Sequence, residues 1–267
     1  MIRQPAVAGQ FYPGNEKSLR DELKRLIPSA ERKKKIIGCI SPHAGYIYSG
    51  GAAGRMLAGI YIPQTVIIIG PNHRGVGALA AVSPEDGWQT PLGVTPVDKK
   101  LAGLIRSHVP QVEEDNQPHL YEHSLEVQVP FLQYLRPDVS ILPLCLGFGD
   151  YGGCELLGNG IAAAIREYAG EVLILASSDM THYESAETAK LKDSQAIERV
   201  LAMDARGLLD VCRTKQISMC GVVPASVMLV AAKDLGATTA ELVAYTHSGQ
   251  ITGDDTEVVA YASVAVW

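Results

Sequence analysis

Four polar motifs stand where apolar runs stop: Ser41-Pro42-His43-Ala44-Gly45-Tyr46, Gly70-Pro71-Asn72-His73, Ser177-Ser178-Asp179-Met180-Thr181-His182, and Cys220-Gly221. Imidazole recurs in three of them. It binds a metal through either ring nitrogen and exchanges a proton near neutral pH. His43 and His73 are thirty residues apart, a spacing suited to ligands from two neighbouring strand ends and unlike the short-spaced pairs of a zinc finger. Two histidines, one anionic ligand and open positions make the pattern of non-haem iron chemistry. The anion on offer is either a carboxylate, chiefly Asp179, Glu122 or Glu126, or a thiolate at Cys220. Cys220 stands just ahead of an apolar helical segment, and a helix dipole together with a metal lowers a thiol's pKa. His182, three residues after Asp179, suits a general acid or base beside an open metal position, with Asp179 orienting it or fixing a ligand's tautomer.

Isolated histidines are more often hydrogen-bonded core or surface residues, which is the expectation for His108 and His119. His43 and His73 differ because each follows a buried-type strand through Pro and Gly. Cys220 taken alone would read as an inert small hydrophobe. A serine hydrolase would pair Ser177 or Ser178 with His182, but no G-x-S-x-G elbow is present. The glycines of 45–51 match neither the P-loop nor the dinucleotide fingerprint.

The elements that must position these groups follow from periodicity. Continuous apolar runs predict strands at Lys35–Ile40, Thr65–Ile69, Val139–Leu144 and Glu171–Ala176, as expected for strands covered on both faces. Leu79–Ser83 is a further strand, and Asp86–Val94 a loop or hairpin carrying Trp88. Glu241–His247 and Glu257–Trp267 close the chain around the turn Ser248–Asp255. Helical spacing predicts helices over Lys17–Ile27, Gly50–Gly59, Asp98–Ser107, Pro118–Leu135, Cys154–Tyr168, Thr188–Ala202, Ala205–Cys212 and Pro224–Leu235. The polar, turn-rich segment Arg3–Asn15 is expected to dock through Phe11 and Tyr12. This alternation predicts an α/β fold with a central, mostly parallel or mixed sheet flanked by helices. In such sheets chemistry collects beyond the carboxyl ends of the strands.

With 267 residues, 47% hydrophobic and 19% charged, the chain can bury one sizeable core, and no linker divides it, so one domain over 1–267 is expected. A net charge of −6 argues against nucleic-acid or acidic-membrane partners. The basic run Arg32–Lys35 reads as a solvated loop end. No apolar segment reaches the roughly 18 residues of a membrane span, and none follows Met1, which together predict a soluble, cytoplasmic protein. Five dispersed cysteines without CxxC pairs do not form a disulfide framework.

The motifs together resemble those of the MEMO family, in the prokaryotic branch called AmmeMemoRadiSam system protein B. The resemblance runs over essentially the full length and is carried by RQPAVAGQFYPGN at Arg3, SPHAGYIYSG at Ser41, GPNH at Gly70, EHSLEVQVPF at Glu122, SSDMTH at Ser177 and CGVVP at Cys220. It implies the fold of class III extradiol (LigB-type) dioxygenases. It also places the family's metal site on His43, His73 and Cys220, and the Asp and His of its SSD-x-x-H motif on Asp179 and His182. LigB-type dioxygenases use a carboxylate where this family has cysteine. Exchanging a hard oxygen donor for a soft sulfur changes metal preference and redox poise, which sets the expected chemistry apart from ring cleavage.

The expectation is a mononuclear metal centre, Fe(II) ahead of zinc or copper, in a dioxygenase-like oxidoreductase. In it His182 shuttles protons and Asp179 orients the surrounding groups. Two alternatives use the same cleft: a non-catalytic scaffold holding a peptide or partner protein, and a metal-dependent hydrolase. The ligand expected is a small molecule or peptide. The prokaryotic family name implies association with AMMECR1-like and radical SAM proteins.

Overall fold

The computed structural model describes residues 1–30 and 32–267. The chain opens with β1 (Ile2–Arg3) and α1 (Glu16–Leu26), then β2 (Gly38–Ser41), α2 (Tyr46–Ala58) and β3 (Thr65–Pro71). β4 (Ala80–Val82), β5 (Gly87–Thr90), β6 (Gly93–Pro96), α3 (Lys99–His108) and β7 (Glu113–Glu114) come next. They are followed by α4 (Val129–Leu135), β8 (Ser140–Leu146), α5 (Tyr151–Glu167), β9 (Val172–Ser177) and β10 (His182–Glu184). The last third holds α6 (Ala186–Leu201), α7 (Ala205–Lys215), α8 (Val222–Asp234), β11 (Ala240–His247), the short α9 (Gly249–Thr252) and β12 (Val258–Val266).

A nine-stranded sheet runs in the order β10-β12-β2-β9-β3-β8-β4-β7, with β11 also paired to β12. Its centre, β2-β9-β3-β8, is parallel, whereas β12 and β4 join it antiparallel, so the sheet is mixed. The fold is a single α/β domain. Successive residues of the central strands feed opposite faces. Ile67 and Ile69 pack with α3, α5, α6, α7 and α8, while Val66 and Ile68 pack with α1, α2 and α4. Each fully buried Ile of this kind contributes about 1.5–3 kcal/mol by leaving water. Among the described residues, no helix is long and apolar enough to cross a membrane.

Gly50 and Gly54 of α2 have a packing role against Leu26. A Cβ on Gly54 would lie 2.3 Å from the Leu26 carbonyl oxygen, so the helix can approach the end of α1 only with glycine there. Asp86–Val94 resolves as the β5/β6 hairpin, with Trp88 buried.

One expected helix is broken. Pro118–Leu135 forms 3-10 turns at Gln117–His119 and Glu126–Gln128, and only Val129–Leu135 is α-helical. The cause is side-chain commitment, because this segment's polar groups are pulled to distant partners. Glu122 is drawn to His73, and Glu126 to the N-terminal segment. Pro130 then opens α4, where a missing N–H costs nothing.

Arg3 is the tie that holds this irregular segment. Its guanidinium donates to the carbonyls of His119 (2.7 Å) and Glu122 (2.9 Å) and to Glu126 Oε2 (2.7 Å), and it lies 4.1 Å from the Trp88 ring centroid. Glu126 also accepts from the Ala6 and Val7 amides and from the Tyr12 hydroxyl, so the buried pair is fully satisfied. Tyr12 thus docks the N-terminal segment, as expected for one of its two aromatics. His119 is buried against the Ala81 carbonyl, and His108 pairs with Glu167 at the surface.

Both the ion pair and the buried imidazole have measurable consequences. Arg3→Met leaves the Glu126 carboxylate buried without its partner and should cost about 3–5 kcal/mol in urea unfolding; a loss below about 1 kcal/mol would show that the pair is not structurally important. Burial lowers the His119 pKa from 6.5 to about 3. Below pH 6.5 the unfolded chain therefore takes up a proton that the native state refuses, so this contribution is present above 6.5 and is lost as pH falls toward 3. The stability difference between wild type and His119→Gln should move against wild type by about 2 kcal/mol from pH 7 to pH 5; a flat difference would contradict it.

Candidate metal centre

The parallel register brings the motifs together. Ser41 pairs with Ser177 across β2 and β9, and β3 lies on the other side of β9, so three strand ends open at one edge. His43 leaves β2, Asp179 leaves β9 and His73 leaves β3. Cys220 sits in the turn before α8, where α8 packs against β9 and β2.

Hydrogen bonds fix the tautomers of His43, His73 and His182. Ser177 Oγ donates to the Ser124 carbonyl (2.6 Å) and accepts from Gln128 Nε2 (2.9 Å). Its hydroxyl proton is therefore spent, and the 3.0 Å contact with His43 Nδ1 has to be a donation from the ring. His43 Nε2 is left bare and lies 3.2 Å from Cys220 Sγ. Burial holds the His43 pKa well below its ordinary value, so the ring is neutral, the form a metal requires.

His73 is held by Glu122, which accepts from its backbone amide (2.8 Å) and contacts its Nδ1 at 2.9 Å. Burial opposes ionisation of Glu122, yet hydrogen bonds from His73 and the Ser124 amide prevail and bring its pKa to about 2. An ionised carboxylate only accepts, so His73 Nδ1 carries the proton and Nε2 is free. This carboxylate–imidazole pairing is the usual outer support of a metal-bound histidine.

His123 is the ring that sequence reasoning passes over. It stacks on His73 with centroids 4.8 Å apart and packs against Phe11 at 4.8 Å, and burial lowers its pKa. His43, His73 and His123 can each offer a donor atom such that all lie within 4.8 Å of one another, a group able to hold a metal ion. The only sequence signal is its place between Glu122 and Ser124 in a crowded polar stretch.

Asp179 lies under this cluster. Its Oδ1 accepts from the His43 amide at 2.7 Å, and its own amide donates to Cys220 Sγ at 3.2 Å. Burial pushes its pKa up to about 7, against the pull of the His43 and Ala44 amides. His182 sits farther out, with its amide on Ser218 Oγ (2.8 Å) and its Nδ1 3.0 Å from the Ser218 carbonyl. Its Nδ1 must donate there, leaving Nε2 bare, and burial lowers its pKa. Ser178 Oγ is turned to the backbone carbonyl of Asp179 and accepts from the Gly221 amide, which removes it as a nucleophile.

Residues 3–265 match the profile of the family described as Memo-like protein. The chain belongs to this family. A MEMO1 family protein of Methanosarcina mazei is 44% identical over 267 residues, covering 99% of each chain. One from Pyrobaculum aerophilum is 39% identical over 275 residues, covering 98% of each. An uncharacterized Escherichia coli K12 protein of known structure aligns with a TM-score of 0.54 at 12% identity, covering 86% of this chain and 99% of its own. That likeness concerns the fold alone. In this Memo-like chain, then, His43 is in contact with Cys220 and Asp179 and also belongs with His73 and His123 to the group able to hold a metal ion, a group that does not include the expected Cys220, and His182 lies at its margin.

The turn that delivers Cys220 has no spare room. A Cβ on Gly221 would stand 2.3 Å from the Ser177 carbonyl oxygen and 2.4 Å from Ser178 Cβ. Gly221→Ala should therefore push α8 off β9, costing about 1–3 kcal/mol; unfolding at wild-type denaturant concentration would contradict this close approach.

Proposed function

We propose that the cluster holds one mononuclear metal ion, iron in the first instance, and that the protein is an oxidoreductase acting on a small molecule. The observation that carries this reading is the shared orientation of the tautomers: His43 and His73 each spend Nδ1 on a fixed partner and keep Nε2 for the centre. The donor set fits such an ion, since neutral imidazoles suit iron, copper and zinc, and sulfur adds a soft donor. His43, His73 and Cys220 would hold it, with His123 as a competing or additional donor. When bound, a redox-active ion would supply Lewis acidity and an electron-transfer partner for dioxygen or a coordinated substrate.

The remaining chemistry belongs to the chain. His182, neutral and with Nε2 bare, accepts a proton from a substrate in the adjoining cleft and returns it. Asp179 holds the His43 backbone and so the ring's position. Glu122 keeps His73 in one tautomer and raises its donor strength. Phe11 covers one face of His123 and keeps water from it.

Anaerobic reconstitution with Fe(II), followed by elemental analysis, tests the assignment. Wild type should retain stoichiometric iron, and His43→Ala and His73→Ala should lose it. Comparing Cys220→Ala with His123→Ala identifies the third donor. Unchanged stoichiometric binding in all four variants would overturn the site, and zinc retained in preference to iron would favour hydrolysis instead.

A further inference from the structure

The cleft beside the cluster encloses about 440 Å³, room for a small organic ligand. Its wall is aromatic and acidic. Phe11, Tyr48, Tyr183 and Tyr261 line it together with Glu257, and none of the described lining residues is Lys or Arg.

Tyr183 is held there at a cost. It sits at φ 59 between His182, paired with Val259, and Glu184, paired with Val258, where the β10/β12 register slips. A bulky residue in the left-handed region is strained. Burial offers no compensation, because the residue is 77% exposed. The bulge takes this ring out of the strand and sets it at the mouth of the cleft. Glu257 directly precedes Val258, so the same strand pairing puts its carboxylate on that rim.

We propose that the ligand of this cleft is cationic: a flat, aromatic-sized molecule carrying a protonated amine, with the amine held at the mouth by Glu257 and the rings of Tyr183 and Tyr48. An ammonium is drawn both to a carboxylate and to the face of a tyrosine. An anionic tail in the same place meets Glu257 with no lysine or arginine among the described lining residues to answer it. The inference rests on the metal reading only in directing the ligand's uncharged end toward His123, the member of the histidine cluster that lines the cleft.

Tyramine and 4-hydroxyphenylacetate share a phenol ring and carry tails of opposite charge, which makes them a matched pair of probes. Anaerobic calorimetry on the iron-loaded protein should find tyramine bound about tenfold tighter. Glu257→Gln should remove most of that preference. Tyr183→Gly should weaken tyramine while raising the melting temperature, since glycine relieves the backbone. Equal or tighter binding of the carboxylate, binding of neither probe, or a preference untouched by both variants would overturn the proposal. Iron content of the same samples separates the two readings. A tyramine preference in protein that retains no iron overturns the metal reading and upholds the cationic cleft, and bound iron without a preference does the reverse.

Discussion

His43, Asp179 and His73 come together because β2, β9 and β3 run parallel and end at one edge of the sheet. Cα register puts Ser41 beside Ser177, and β3 continues one strand farther along. Residues far apart in the chain are then neighbours by construction, needing only one or two residues of turn to bring their side chains inward. Parallel strands with both faces covered are also rigid, because each is buried by helices on two sides. A metal-binding geometry needs that rigidity, since donors that drift by an ångström no longer share an ion.

Rigidity of the strands does not by itself aim an imidazole, and the aiming comes from a set of buried hydrogen bonds with no slack. Ser177 Oγ has one proton and two lone pairs, all committed, and that count is what forces the proton onto His43 Nδ1. Glu122 plays the same part for His73, and its own loop is held by Arg3 through the Glu122 carbonyl. Arg3 is in turn fixed by Glu126 and Trp88. Arg3, and with it the N-terminal segment, thus reaches His73 through Glu122. Networks of this kind specify one arrangement only while every member is satisfied, because a single unpaired buried charge costs more than the pairing contributes.

Much of this arrangement is legible in the amino-acid sequence. The β-branched runs announce the central strands, and strand ends carrying Pro, Gly and His announce where chemistry gathers. Boundaries move by a few residues: the strand expected from Lys35 begins at Gly38 in the sheet, and the helix expected from Gly50 begins at Tyr46. Two things are not legible, for the same reason. The Pro118–Leu135 stretch has helical spacing, yet its polar side chains find partners in β1, in the following segment and after β3, and tertiary pairing outweighs local propensity. His123 escapes notice because it reaches the cluster from that broken stretch rather than from a strand end. Sequence periodicity records which face a residue occupies in a regular element, and it is silent about a residue that belongs to none.

Charge explains why these groups tolerate one another at such short range. Burial keeps His43 and His123 neutral and keeps the Cys220 thiol protonated, so these three donors carry no charge against one another. The Cys220 S–H can then point at the bare His43 Nε2, which lies 3.2 Å away, and satisfy it. The one clearly ionised group, Glu122, is set behind His73 and spends its oxygens on N–H donors. On the proposed reading, Cys220 would give up the proton it points at His43 Nε2 and become a thiolate donor, and the same loss would free His43 Nε2 as a ligand.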